Sequence, residues 1–214
     1  MKTKVLLIAL TTTVFAFGAK AQSTTFGVRA GLNIQNLNGK DGVGNDINLK
    51  IKTGINLGVN AEIPVAPDFY VQPGVLFSTK GAKDKNFRKI NYRLSYIEVP
   101  INLLFKPELG DGKLLLGFGP YVGIAVGGSY TDANGTKTDY KFDNKVPTVA
   151  QRIGVVRRMD FGGNLLFGYE LSSKLSFQFN AQLGMTNLVP KVENYTDKFK
   201  LKNTSFGVSV GYRF

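Results

Sequence analysis

The sequence contains no cysteine, no histidine and no tryptophan. Without cysteine the chain has no disulfide, no thiol nucleophile and no thiolate metal site. Without histidine it has no Ser-His-Asp triad and no imidazole acid–base group. These absences exclude most catalytic and metal centres. We therefore expect no enzyme activity, no metal and no cofactor.

Catalysis without histidine would need a bare carboxylate or a Ser–Lys arrangement. The carboxylates that we consider for such a role are Asp160, Glu98 and Glu170. A structural role is the favoured interpretation for each, so we assign no catalytic residue.

The N-terminal segment has the pattern of a cleaved export signal. Two lysines precede an apolar run over 5–17, and a small-residue Ala-Lys-Ala site follows at 19–21. The run is shorter than the roughly 20 apolar residues that a membrane-spanning helix requires. The pattern predicts a cleaved signal peptide over 1–21 and a single exported domain over 22–214.

The exported part alternates apolar and polar residues with a period of two, which is typical of β-strands. Eight alternating segments occur, at 25–35, 54–63, 69–79, 95–106, 113–126, 159–171, 174–186 and 205–214. An even number of antiparallel strands lets the last strand pair with the first. The pattern predicts an all-β fold, an eight-stranded antiparallel up-and-down barrel.

The connections between these segments alternate in length. Short connections occur at 64–68, 106–113 and 171–174, and long polar ones at 36–52, 79–94, 127–158 and 187–203. Short periplasmic turns and long extracellular loops are typical of transmembrane barrels in the outer membrane. We therefore expect the protein to lie in the cell outer membrane.

Three prolines fall inside predicted strands, at Pro73, Pro100 and Pro120. Each removes a hydrogen-bond donor from a barrel that has no free edge. We expect bulges or missing ladder pairs at these positions.

A soluble lipocalin-like barrel would show the same alternation with its apolar face inward. The polar face here consists chiefly of Gly, Asn, Gln and Ser rather than Lys and Glu. Small polar residues suit a narrow packed lumen. This composition favours the membrane barrel, and a soluble periplasmic ligand-binding barrel remains the alternative.

An eight-stranded barrel has an interior only wide enough for side chains, so we expect no open pore. Five ionisable residues share the lumen-facing phase: Arg29, Glu62, Glu98, Glu170 and Arg213. The first, second and last strands are neighbours, which would bring Arg29, Glu62 and Arg213 together. We interpret the set as an ion-pair plug, and a proton or ion path is the alternative.

The formal net charge is +12, and the predicted long loops carry much of it. The predicted loop 79–94 holds six cations, Lys80, Lys83, Lys85, Arg88, Lys89 and Arg93, against Asp84 alone. Such a run is either a solvated loop or an anion-binding surface. An exported chain makes nucleic acid an unsuitable partner. Outer-membrane lipid, lipopolysaccharide or an acidic glycan is the expected partner.

The long connection 127–158 is the favoured partner-binding element, because loops on a rigid scaffold carry function. Its "DANG" and "KFDN" stretches predict turns and a hairpin above the barrel.

Five stretches together resemble a family. They are FYVQPGVLFSTKG (69–81), SYIEVPINLLFKP (95–107), GFGPYVGIAVGG (117–128), DFGGNLLFGYEL (160–171) and GVSVGYRF (207–214). Their order resembles that of the small PorT-like outer-membrane β-barrel proteins of Bacteroidetes. The resemblance implies that Tyr212 and Phe214 form the signal read by the barrel-assembly machinery. A role of Phe214 as a lipid-facing anchor is compatible with this.

The resemblance brings no shared biochemical activity. Some members are associated with a secretion system that exports proteins across the outer membrane, and no motif in this chain assigns it to that pathway. We expect a monomer with a structural or surface-interaction role. Binding of lipopolysaccharide or an acidic glycan, or an accessory role in secretion, is the alternative.

Overall fold

The computed structural model describes residues 23–214 except 48, 84–89 and 153. The predicted signal peptide lies outside the described residues. Eight long strands dominate the described part. They are β1 (Thr25–Lys40), β2 (Lys52–Ala66), β3 (Phe69–Lys83), β4 (Asn91–Phe105), β5 (Gly112–Thr131), β6 (Met159–Glu170), β7 (Leu175–Gly184) and β8 (Lys200–Arg213).

The eight strands form one closed antiparallel barrel. Each strand pairs with the next along the chain, and β1 pairs with β8 from Gly27 opposite Arg213 to Lys40 opposite Lys200. The predicted eight-stranded up-and-down barrel is therefore confirmed. Several strands extend beyond the predicted segments at the end with the long loops. Their polar residues continue the ladder there although the apolar alternation has ended.

The outer face of the barrel is apolar and the enclosed face is polar. Phe26 and Phe118, for example, are 62% and 59% exposed, whereas Asn33 and Asn164 are buried. An apolar belt open to the surroundings suits lipid and not water. The soluble lipocalin-like alternative, which needs its apolar face inward, is therefore wrong.

Glycines on the lumen face allow the strands to approach closely. A Cβ atom on Gly31 would collide with the backbone oxygen of Val208, and one on Gly119 with that of Ile101. Glycine at such positions therefore allows the strong coiling that a barrel of only eight strands needs.

The prolines interrupt the ladder as expected. Within the described strands, the ladder skips two successive pairs at each proline: Ala61 with Pro73 and Glu62 with Gln72, Gly74 with Pro100 and Val75 with Val99, and Ile101 with Pro120 and Asn102 with Gly119. The register is the same on both sides of each gap, so the strands continue straight past the missing donors. The two register shifts lie elsewhere, beside Val65 in β2 and Val126 in β5.

The connections also follow the predicted alternation of lengths. Short turns join β2 to β3, β4 to β5 and β6 to β7, and each contains a residue with positive φ: Asp68 at 60°, Gly110 at 60° and Lys174 at 67°. The loops at the opposite end span 41–51, 84–90, 132–158 and 185–199. We call the two ends the turn end and the loop end.

The loop 132–158 starts with the predicted hairpin. Lys137–Asp139 pairs with Ser129–Thr131 of β5, and the Asp132 carboxylate accepts the backbone N–H groups of Asn134 and Thr136 in the turn. The rest of the loop does not rise freely above the barrel. The parallel pairing of Lys145–Val146 with Lys191–Val192 joins it to the loop 185–199.

Short elements complete the described part. They are Asp46–Ile47 beside β1, Glu108–Leu109 beside β5, Lys141–Phe142 paired with Val155–Val156, Lys145–Val146 paired with Lys191–Val192, and a 3₁₀ turn at Ala150–Arg152. In the described ranges, no helix is long and apolar enough to cross a membrane.

Replacing Phe118 by Arg tests the lipid-facing belt. Phe118 lies midway along the apolar positions of β5, so the charge would enter the centre of the bilayer. We expect the free energy of unfolding to fall by about 2 to 4 kcal/mol, measured by urea titration in lipid vesicles. The matched variant Met185→Arg, at the loop-end edge, should lose about 1 kcal/mol or less. Equal losses in both variants would contradict this placement of the bilayer.

Candidate functional site: the charged lumen and the basic loop end

Four charged side chains meet in the lumen at the turn end. Glu62 of β2 lies against Arg213 of β8 and accepts a hydrogen bond from its Nη2. Lys106 follows β4, and its Nζ lies 2.9 Å from Glu62 Oε2 and 2.8 Å from Glu170 Oε2. All four are buried. Two cations and two carboxylates thus balance within this turn-end cluster.

A second cluster fills the lumen nearer the loop end. Lys80 Nζ lies 2.6 Å from Glu98 Oε1 and 3.5 Å from Asp160 Oδ2. Tyr121 Oη and Asn203 Nδ2 donate to Asp160 Oδ2 at 3.0 and 2.7 Å. Lys80 also lies 4.6 Å from the centre of the Tyr121 ring. The hydrogen bonds and the cation over the ring offset the cost of burying these charges.

Side-chain amides occupy the space between the two clusters. Asn164 donates to Asn102 at 2.8 Å, Asn102 to Gln72 at 3.2 Å, and Gln72 to Glu62 at 3.3 Å. Gln182 donates to Glu98 at 2.9 Å. A cavity beside Arg29 measures only about 20 Å³, close to the least volume that holds one water. Between the two clusters the described lumen is therefore filled with side chains, and a cavity of about 740 Å³ opens at the turn end against the turn-end cluster.

Arg29 does not join Glu62 and Arg213. The register of β1 and β2 places Thr25 opposite Glu62 and Arg29 opposite Gly58, so Arg29 lies farther towards the loop end. Its side chain is buried, and among the described residues no carboxylate lies within ion-pair distance of it. The predicted grouping of Arg29 with Glu62 is wrong because antiparallel register, not strand adjacency alone, sets the level of each side chain.

Lys80 was expected in a loop, and the structure places it in the lumen with 2% exposure. The reason is the length of β3, which continues to Lys83 and keeps Lys80 in the lumen phase of Gln72 and Ser78. Extending the alternation of inward and outward residues past residue 79 predicts the lumen position of Lys80. Lys106, likewise assigned to a turn, continues the phase of Glu98 and so also points inward.

The other members of the predicted cationic loop divide into two groups. Lys83 at the end of β3 and Arg93 near the start of β4 are exposed at the loop end. Lys85, Arg88 and Lys89 lie outside the described residues.

Six lysines at the loop end stand in three like-charged pairs. They are Lys40 opposite Lys200, Lys50 opposite Lys83, and Lys145 opposite Lys191. All six are exposed, and within the described chain only Lys40 has a carboxylate partner, Asp46 at 3.5 Å. Like charges directly opposite each other destabilise a sheet. We call these residues the lysine pairs.

The two ends of the barrel differ in charge. Among the described residues of 40–52, 83–93, 131–159 and 184–202, Lys and Arg clearly outnumber Asp and Glu. At the turn end, Lys106 and Arg213 have carboxylate partners, and Glu108 and Asp111 lie near Lys113. The unbalanced positive charge therefore lies at the loop end.

The aromatic residues of β8 lie on the outer face. Tyr212 and Phe214 are exposed, their ring centres are 5.6 Å apart, and the rings meet edge to face. The Phe214 N–H donates to the carbonyl of Phe26, which continues the seam between β8 and β1.

Each of the three carboxylates considered for catalysis forms an ion pair with a lysine side chain. Glu98 and Asp160 contact Lys80, and Glu170 contacts Lys106, all inside the packed lumen. In the part of the chain that the structure describes, no group of His, Cys, Asp or Glu side chains is placed to hold a metal ion.

The family model of the outer membrane protein beta-barrel domain matches residues 20–190, which is most of the chain. The chain belongs to this family. It is therefore an outer-membrane β-barrel protein. No curated protein sequence matches it.

Several solved structures of outer-membrane proteins are similar to this chain. Ail, the attachment invasion locus protein of Yersinia pestis, solved with the heparin analogue sucrose octasulfate, is 13% identical with a TM-score of 0.44, over 90% of this chain and 100% of that one. Neisserial surface protein A is 12% identical with a TM-score of 0.48 over the same shares. OprG from Pseudomonas aeruginosa is 12% identical with a TM-score of 0.32, over 90% and 97%.

Replacing Glu62 by Ala tests the turn-end cluster. The change leaves Lys106 and Arg213 buried with one carboxylate fewer, which should lower the free energy of unfolding by about 3 to 5 kcal/mol. Urea titration in lipid vesicles measures this loss. Glu108→Ala removes an exposed carboxylate at the same end and should change stability by about 0.5 kcal/mol or less. A Glu62→Ala barrel as stable as the Glu108→Ala barrel would show that the cluster does not stabilise the fold.

Proposed function

We propose that this outer-membrane barrel acts at the cell surface by binding anionic groups, foremost the phosphates of lipopolysaccharide, at its loop end. The three lysine pairs carry the proposal. Each pair places two cations in register across a strand pairing, and five of the six lysines have no carboxylate partner among the described residues. Such an arrangement costs stability in the free protein. A bound anion would remove that cost.

The chemistry of the pairs suits a phosphate. A lysine ammonium is a compact point charge with three donors, and two of them on one face can share the oxygens of a single phosphate. Outer-membrane lipid surrounds the barrel beneath the loops, so lipopolysaccharide headgroups lie at the same height as the lysine pairs. An acidic glycan is the alternative ligand, since sulfate and carboxylate groups offer the same charge.

The barrel itself supports this role as a closed scaffold. The ion pairs at two heights and the amides between them leave no continuous space in the described lumen, which favours a protein without an open pore. The buried carboxylates Glu62, Glu98, Asp160 and Glu170 are all paired with lysines, which favours a structural role over a catalytic one. We further propose a monomer with a cleaved signal peptide over 1–21, of the PorT-like type found in Bacteroidetes. No observation in the described chain favours an accessory role in secretion.

Removing one lysine pair tests the ligand. We expect Lys145→Gln with Lys191→Gln to weaken binding to purified lipopolysaccharide by up to about tenfold, since an exposed ion pair contributes about 1 kcal/mol or less. The same variant should be at least as stable as the wild type to urea, because a like-charge contact is gone. Binding is measured by surface plasmon resonance at several salt concentrations and should weaken as salt rises.

The matched control removes two cations at the turn end, with Lys113→Gln and Lys174→Gln. This control has the same net charge as the Lys145→Gln, Lys191→Gln variant. It should bind lipopolysaccharide as tightly as the wild type does. Equally weakened binding to lipopolysaccharide in both variants would mean that net charge alone, and not the lysine pair, causes the effect. Binding that does not depend on salt would contradict the proposal. Competition by a soluble acidic polysaccharide, with weak binding to lipopolysaccharide, would favour the glycan alternative.

We also propose that Tyr212 and Phe214 form the assembly signal. Both rings point outward at the seam that closes last, where the assembly machinery can contact them before closure. Deleting Phe214 should lower the amount of folded barrel in the outer membrane of cells, measured by heat-modifiable gel mobility. If folding in lipid vesicles falls equally, the residue is an anchor and not a signal.

A further inference from the structure

The two long loops pack apolar side chains onto the mouth of the barrel at two separate places. On one side, Tyr140, Phe142 and Val156 of the loop 132–158 pack against Leu94 and its neighbours in the barrel. On the other side, Leu188 of the loop 185–199 is part of an apolar cluster with residues of β1 and β3. Each loop therefore has its own apolar contact with the barrel.

A cavity of about 440 Å³ lies between these two contacts. It is lined by residues of both, among them Leu37 and Leu188 from one side and Leu94 and Tyr140 from the other. Most of its wall is aliphatic or aromatic. The volume falls within the roughly 300 to 1,000 Å³ typical of small-molecule sites, which combine an apolar wall with a few polar groups.

The cavity has one charged feature in its wall, the pair Arg152 and Asp197. Arg152 Nη1 donates to Asp197 Oδ2 at 2.6 Å, and the guanidinium lies 5.8 Å from the centre of the Phe199 ring. In the described chain this is the one hydrogen bond that Arg152 donates from its side chain. A guanidinium has five donors and binds carboxylates well, so part of its capacity is unused.

The hydroxyl of Tyr140 in the wall stays neutral. Burial, and then the nearby Tyr92 and Tyr130, raises the pKa of the Tyr140 hydroxyl above its usual value. The rings of Tyr130 and Tyr140 lie 5.5 Å apart along the wall. Aromatic rings can pack against a hydrocarbon chain, whereas the surrounding excess of Lys and Arg disfavours a cationic head.

We infer that this cavity is a binding site for a single-chain anionic amphiphile, with the hydrocarbon chain between the two loops and the anionic head at Arg152. A fatty acid has the required chemistry. The site is distinct from the lysine pairs, which are exposed and polar. Asp197 competes with the head group for Arg152, so it weakens binding and favours exchange.

A tryptophan reporter tests this site, because the chain has no tryptophan of its own. Tyr195 lines the cavity and lies in the loop 185–199, away from the bilayer belt. Tyr195→Trp is made in the mature chain and placed in phospholipid nanodiscs. Dodecanoate brominated near its methyl end should quench the tryptophan saturably. The control Leu109→Trp, an exposed position at the turn end that does not line the cavity, should not be quenched.

Two further substitutions in the Tyr195→Trp background test the chain and the head separately. Val155→Phe fills the cavity and should weaken binding at least about tenfold. Asp197→Asn frees the Arg152 guanidinium and should tighten binding of the brominated dodecanoate by about tenfold, but not that of the matching brominated dodecanol. Heat-modifiable gel mobility verifies that each variant is folded.

Three results would overturn the inference. Equal quenching at positions 109 and 195 would mean that the probe only partitions into the bilayer. Unchanged affinity in a folded Val155→Phe barrel would place the chain elsewhere. An Asp197→Asn barrel that binds dodecanoate no better would remove Arg152 as the head-group site, and this test stands even if the Val155→Phe chain does not fold.

Discussion

The closure of β8 onto β1 is the constraint on which the rest of the structure depends. Lipid offers no hydrogen-bond partners, so every backbone N–H and C=O group in the belt needs a partner strand. The seam from Gly27 opposite Arg213 to Lys40 opposite Lys200 supplies those partners and removes both edges of the sheet. The missing pairs at Pro73, Pro100 and Pro120 fit this constraint, because proline itself has no donor to leave unsatisfied.

Closure with only eight strands fixes the character of the interior. Strong coiling brings neighbouring backbones so close that positions such as Gly31 and Gly119 have no room for a Cβ atom. The space left is small, and the polar side chains within it have little access to water. The two ion-pair clusters and the amides between them pair many of these groups with one another. Other buried atoms in the described lumen, such as Arg29 Nε and Asp160 Oδ1, have no hydrogen-bond partner.

The interactions at the loop end differ from those in the lipid belt and the lumen. Outside the lipid belt the strands continue as polar ladders, so lysines can face each other where water screens them. The loops 132–158 and 185–199 are held both by apolar packing on the barrel mouth and by short strand pairings. The same end therefore presents an exposed cationic surface and an enclosed apolar cavity. The first feature is exposed and polar, and the second is apolar.

The alternation of apolar and polar residues by itself determined the strand number, the topology and the alternation of turns and loops. It also placed Glu62, Glu98, Glu170 and Arg213 in the lumen, because the alternation shows which face of a strand each residue occupies. Only the tertiary structure decided which lumen charges meet. Register and strand length set the height of each side chain along the barrel. They place Arg29 away from Glu62 and put Lys80 and Lys106 inside the lumen. They also bring the lysines of each lysine pair opposite each other. The mouth cavity joins residues from distant parts of the chain, such as Leu37, Tyr140 and Leu188, and has no local pattern. Contacts between elements far apart in sequence depend on how the closed barrel brings the loops together.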